Sequence, residues 1–92
     1  MIAKIWNHSE WVKMTDPKRI KEYFTAVLVA AGFNILNLAE HHFQPEGWTG
    51  LWLLSESHFA VHTFPEIGQC YIELSSCNQE YFVKFIEEVK NI

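Results

Sequence analysis

Residues 54–66 (LSESHFAVHTFPE) carry two serines, two glutamates and two histidines within thirteen positions. Polar side chains in such a run lower stability unless they find partners, so their concentration marks a place for chemistry. Three chemistries use these residue types. His58 and His62 have the i, i+4 spacing that chelates zinc on a helix. The β-branched and aromatic content and the flanking turns favour a strand instead. There the two share a face about 13 Å apart, too far for one ion bound at roughly 2.1 Å. His41 and His42 point to opposite faces, and no metal site is expected. A hydrolytic triad of Ser57, His62 and an acid lacks the G-x-S-x-G elbow and the strand-to-helix turn that expose such a serine. The third chemistry is self-cleavage at Glu56-Ser57. The Ser57 hydroxyl attacks the preceding carbonyl and the amide becomes an ester. Loss of the serine α-proton eliminates that ester, and hydrolysis of the resulting dehydroalanine leaves an N-terminal pyruvoyl group. That route needs a strained peptide, an oxyanion donor and a nearby base. Composition and periodicity do not establish it.

The elements that must position these residues are legible in outline. Asp16 and Pro17 make a helix start, as N-cap and first helical residue. Ile20, Phe24, Val27, Leu28 and Ala31 follow at three- and four-residue spacing, and Gly32 suits the stop. Residues 1–8 alternate loosely as a first strand. Residues 33–43 read as a strand before a Pro45-Glu46-Gly47 turn. Trp48–Leu54 is strand-like, and residues 58–63 resume the pattern. Residues 65–68 turn, and Gln69–Ser76 form a further strand. Asn78 caps a closing helix with a Phe82, Phe85, Ile86, Val89 stripe. The order reads β-α-β-β-β-α, an α+β two-layer sandwich with an antiparallel sheet and two helices packed on one face. Its other face, carrying aromatic residues, suits dimerisation or ligand binding.

Composition bounds the function class. Ninety-two residues make one domain, and 49% hydrophobic residues are enough for a core. Seven Lys and Arg against 11 Asp and Glu give a net charge of −4, opposite to the basic excess of a general nucleic-acid or anionic-membrane binder. No apolar run approaches the ~20 residues of a membrane span. No secretion signal is read at the N-terminus, so a cytoplasmic location is expected. Cys70 and Cys77 are seven apart, on opposite faces of a strand and about 23 Å apart, so both are expected to be free thiols.

With these residues in view, the 54–66 segment resembles the processing segment of the prokaryotic S-adenosylmethionine decarboxylases, which reads close to x-[AS]-E-S-H-[LI]-[ST]-[IV]-H-T-W-P-E. Ser76-Cys77-Asn78 stands fifteen residues after His62, the family's spacing from that histidine to the cysteine of its Thr-Cys-Gly. Residues 42–50 (HFQPEGWTG) resemble the family's aromatic-x-P-x-G-x-[ST]-G stretch. The resemblance extends over about residues 5–89, and the central window is its specific part.

The resemblance implies a set of roles. Glu56-Ser57 is the scissile pair, dividing the single domain into a β chain of 1–56 and an α chain of 57–92. Ser57 becomes the pyruvoyl cofactor. His62 transfers protons during processing, and the Thr49 hydroxyl supports the oxyanion-like intermediate. Cys77 is the general acid of decarboxylation, a task a thiol suits near neutral pH. Phe43 and Phe64 flank the adenine of S-adenosylmethionine, and Glu66 holds the ribose hydroxyls. The implied activity is decarboxylation of S-adenosylmethionine for spermidine biosynthesis, by a homodimer with its active sites at the interface. His58 receives no role, and Cys70 is read as structural.

Four positions depart from the pattern. Phe64 replaces a Trp, Ile67 an aromatic residue and Asn78 a Gly, and the sequence stops at Ile92 where family members continue into another strand. The changes at 64 and 67 bear on substrate identity. A free amino acid such as ornithine or arginine, which carries no adenine, is the alternative substrate. The remaining alternative is an unprocessed homologue acting as a binding partner.

Overall fold

Asp16 and Gly32 bound the first helix as their residue types predict. In this computed structural model, which describes residues 3–90, α1 spans Pro17–Ala31. The Asp16 carboxylate accepts the Lys18 amide at 3.1 Å, and Pro17 occupies the first turn, where no amide hydrogen is needed. Gly32 closes the helix at φ 113°, and a Cβ there would meet the Tyr81 ring at 2.7 Å, so both backbone and packing require glycine. The five apolar residues of the stripe are all buried. The closing helix, α2 (Gln79–Val89), starts where the Asn78 side chain accepts the Tyr81 amide at 3.0 Å; Phe82, Phe85 and Val89 are buried, with Ile86 packed against them.

Between and before the helices lie five strands: β1 (Trp6–Val12), β2 (Ile35–His42), β3 (Trp48–Leu54), β4 (Ser57–Phe64) and β5 (Gln69–Ser76). They form one antiparallel sheet in the order β1-β5-β4-β3-β2. The α+β sandwich is therefore as expected, but the order β-α-β-β-β-α is one strand short. Ser55 and Glu56 reverse the chain as a two-residue turn, so the pattern resumed after Leu54 is a separate strand. The first strand is also displaced. It runs from Trp6 to Val12 because its partner, β5, offers backbone groups from Ser76 to Cys70. Residues 1 and 2 of the expected strand lie outside the described residues.

Side-chain alternation divides the sheet into two faces. Toward the helices point Trp48, Trp52, Phe59, Val61, Cys70, Ile72 and Leu74, all buried with the helix stripes in one core. Gly50 sits on this side between Trp48 and Trp52, and a Cβ there would run into the Trp48 indole. Among the described residues no layer covers the other face. Registered pairing arranges it in rows across the strands: Asn7, Ser75, His58, Leu53, Asn37; then Ser9, Glu73, Ala60, Leu51, Ala39; then Trp11, Tyr71, His62, Thr49, His41. No helix among the described residues is long and apolar enough to cross a membrane.

The two free cysteines part in character. Cys70 is buried on the core face, and burial pushes its thiol up to about 11 despite a backbone hydrogen bond at Met14 that acts the other way. Cys77, just past β5, is exposed. A thiol reagent applied to the native protein at about pH 8 is expected to modify Cys77 and spare Cys70 until denaturant is added. Intact-mass analysis checks this, and modification of Cys70 in the native protein would contradict it.

Candidate active site

The Glu56-Ser57 peptide lies at the end of the β3–β4 hairpin, and the strand pairing carries Cys77 to it. Ser57 pairs with Ser76, the last residue of β5, which puts the next residue beside the turn. The Cys77 amide donates to the Glu56 carbonyl at 3.2 Å and lies 3.3 Å from Ser57 Oγ. The Cys77 thiol donates to the same carbonyl at 3.0 Å. Two donors from one residue thus converge on the oxygen that must take up negative charge if Ser57 Oγ attacks that carbonyl carbon. This is the arrangement of an oxyanion hole. Glu56 Oε1 is buried with no hydrogen-bond partner among the described residues.

Cys77 is itself braced. Ser76 is buried, and its hydroxyl accepts the Asn78 amide at 2.9 Å and approaches the Asn78 carbonyl at 3.3 Å. Asn78 has φ −106°, an extended conformation open to any residue. A glycine is therefore not needed here, and the asparagine side chain serves as the α2 cap instead. With Asn78 in place of the family's Gly, the Cys77 thiol stands 3.0 Å from the Glu56 carbonyl. Sequence reading passed over Ser76, whose only signal is its place beside Cys77.

A second cluster occupies the far end of β4. Thr49 and His62 are cross-strand partners, and Thr49 Oγ1 lies 3.0 Å from His62 Nδ1. The bond fixes the imidazole orientation. These two residues line a cavity of about 340 Å³ together with Phe43, Phe64 and Glu66. Phe43 and Phe64 are partly exposed, so aromatic surface is available to a ligand. The size suits a small-molecule site. Trp11, from β1, backs Phe64 at a ring-centroid distance of 5.5 Å and also meets Tyr71 at 5.2 Å. Sequence reading missed both, because Trp11 becomes a neighbour of Phe64 only through the β1–β5–β4 pairing.

The sheet brings together Glu56, Ser57 and Cys77 at one end of β4, and Thr49, His62, Phe43, Phe64 and Glu66 at the other. It does not unite the two groups within one chain. Five strand steps separate Ser57 from His62, about 16 Å. Ser57 also has the alternation parity of the core-facing Phe59 and Val61, whereas His62 stands on the uncovered face. His58 shares that face with His62, four positions away, and among the described residues no three metal-binding side chains converge.

Comparison with known proteins agrees with this fold. The family model described as S-adenosylmethionine decarboxylase matches residues 2–91. A chain named S-adenosylmethionine decarboxylase proenzyme from Prochlorococcus marinus (strain MIT 9313) is 38% identical over 68 residues, covering 74% of this chain and 54% of that protein. One of the same name from Synechococcus sp. (strain WH7803) is 40% identical over 65 residues, 71% and 51% of the two chains. From Bacillus anthracis, S-adenosylmethionine decarboxylase proenzyme 1 is 34% identical over 77 residues, 84% and 58%. The matched part thus spans about half the length of these relatives. The crystal structure of the adenosylmethionine decarboxylase from Aquifex aeolicus VF5 superimposes with a TM-score of 0.75 at 22% identity, over 92% of this chain and 76% of that one, which shows the common fold. With the family model spanning the sequence from residue 2 to residue 91, this chain belongs to the S-adenosylmethionine decarboxylase family.

Proposed function

We propose that the chain is the self-cleaving precursor of a pyruvoyl-dependent S-adenosylmethionine decarboxylase, active as a homodimer and supplying aminopropyl groups for spermidine synthesis. The observation that carries this reading is the pair of Cys77 donors on the carbonyl of the Glu56-Ser57 peptide. They oppose the charge that develops when Ser57 Oγ adds to that carbonyl, at the one peptide bond whose cleavage would leave residue 57 at a new N-terminus. Ser57 supplies the atoms of the pyruvoyl group, so the residues present fit it. When formed, that group provides the electron sink for loss of CO₂ from an amine-bearing substrate. Cys77, whose thiol lies 3.0 Å from the Glu56 carbonyl, would return a proton to the substrate carbon. Phe43 and Phe64 offer ring faces to adenine and the sulfonium, and Glu66 in the same cavity offers acceptors to ribose hydroxyls.

Dimerisation answers the 16 Å gap between the two clusters. A two-fold axis between two uncovered faces, perpendicular to β4, would lay the His62 end of one copy over the backbone of the Glu56-Ser57 end of the other, at the strand's end and on the side away from the Ser57 side chain. Each active site would then take Ser57 and Cys77 from one chain and Thr49, His62, Phe43, Phe64 and Glu66 from its partner. The exposure of Trp11 (51%), Leu51 (45%), Leu53 (51%) and Phe64 (37%) on that face supports such a contact.

Denaturing mass spectrometry of the purified protein tests the cleavage. Two fragments, 1–56 and 57–92, the second with a blocked pyruvoyl terminus, are expected, together with CO₂ release from carboxyl-labelled S-adenosylmethionine. A single species that stays intact on long incubation would refute the reading. Cleavage with turnover of ornithine or arginine instead would keep the cofactor and reassign the substrate.

A further inference from the structure

The hairpin that presents the Glu56-Ser57 bond is held from its outer side by a residue outside the processing motif. Two-residue hairpins normally use turns with a positive φ at one or both central residues, whose handedness matches the strand twist. Here the central residues are Ser55 and Glu56, and no described non-glycine residue has a positive φ. The turn therefore lacks the backbone geometry that makes such hairpins self-supporting, and it depends on bonds from its neighbours. Cys77 supplies those on one side. On the other, Asn34 makes two: its carbonyl accepts the Ser55 amide at 3.0 Å, and its Nδ2 donates to Ser55 Oγ at 2.9 Å.

Asn34 reaches Ser55 because of an irregularity in β2. Register shifts by one residue between Ile35 and Asn37, so that Ile35 pairs with Leu54 while Asn37 pairs with Leu53. Leu36 is the extra residue, left exposed. Continuing the shifted register past Ile35 sets Asn34 opposite Ser55. Without the extra residue, Ile35 would stand opposite Ser55 and turn its apolar side chain out of the core. Bulges commonly re-aim side chains beside working sites.

We propose that Asn34 is a positioning residue for self-cleavage: with Ser55 it clamps the hairpin turn and fixes the Glu56 carbonyl against the Cys77 donors. This rests on the cleavage reading above. Asn34 touches neither reacting atom and acts only through the Ser55–Glu56 segment. A misplacement of the carbonyl by a fraction of an ångström weakens donors that must meet it at hydrogen-bond distance.

The test follows the time course of cleavage in the full chain after synthesis, by intact mass. Asn34→Ala and Ser55→Ala are each expected to slow cleavage by roughly three- to tenfold, the scale of one lost hydrogen bond. The double variant is expected to be no slower than either single one, because both remove the same bond. Asn34→Asp is expected to restore most of the rate, since its carboxylate accepts the Ser55 hydroxyl. Thermal midpoints measured in the Ser57→Ala background, where no chain is cut, separate clamping from a general loss of fold; they are expected to stay within a few degrees of one another. Wild-type rates in Asn34→Ala, multiplying effects in the double variant, or a rate loss that merely follows the thermal midpoint would each overturn the clamp while leaving self-cleavage standing. An intact wild-type chain would instead overturn the cleavage reading and the clamp with it.

Discussion

Chains carrying His62→Ala and chains carrying Ser57→Ala are each expected to stay intact alone, and to yield fragments when co-expressed. The expectation follows from the two clusters on β4. Ser57 and its Cys77 donors stand at one end, the Thr49–His62 pair at the other, roughly 16 Å apart along the strand. If each site draws on both copies, the mixed dimer contains one complete set: Ser57 and Cys77 from the His62→Ala chain, His62 and Thr49 from the Ser57→Ala chain. Cleavage should then occur in the His62→Ala chain only, and its 57–92 fragment carries the altered mass. The expected loss in His62→Ala alone is on the order of 10²–10⁴ in rate, the range for a positioned proton-transfer group. Ser57→Ala loses cleavage altogether, because nucleophile and cofactor precursor disappear together. Co-expressed chains that exchange subunits and remain uncut would exclude the shared site.

Cys77 is expected to divide cleavage from turnover. Its backbone amide holds the Glu56 carbonyl whatever the side chain, so Cys77→Ala removes one of two donors. A thiol is a weak donor, and the loss of cleavage rate is expected to be about tenfold, below the 10²–10³ seen when a strong oxyanion donor is deleted. Cys77→Ser keeps an O–H donor and should cleave at close to the wild-type rate. Decarboxylation by the cleaved proteins should fall much further in both, by roughly 10²–10⁴, because neither an alanine nor a serine hydroxyl gives up a proton as readily as a thiol. Fragment appearance and CO₂ release, measured on the same preparations, read the two effects separately. Equal losses in both assays would remove the general-acid role.

The proposed self-cleavage at Glu56-Ser57 and the roles proposed for His62 and Cys77 come from a family resemblance carried by a short window and one spacing, which a linear motif can record. Helix caps were equally plain: Asp16, Pro17, Gly32 and Asn78 act through bonds to residues a few positions away. The strand count was less so. Ser55-Glu56 carries none of the glycine or asparagine that advertises a two-residue hairpin, so the sequence does not announce the turn. Trp6, His8 and Glu10 likewise give no apolar alternation, so the sequence pattern does not mark where β1 runs.

What the sequence by itself determined was the set of chemical groups and the local starts and stops of the elements holding them. What only the tertiary structure decided was their company. Pairing between β4 and β5 delivers Cys77 to the Glu56 carbonyl, pairing between β3 and β4 joins Thr49 to His62, and a one-residue shift in β2 sets Asn34 against Ser55. Pairing across β1, β5 and β4 backs Phe64 with Trp11. Each of these contacts depends on register between separate strands. A one-residue slip would send every side chain of a strand to the opposite face, and the energy that selects the register comes from the whole buried core rather than from the residues of the site.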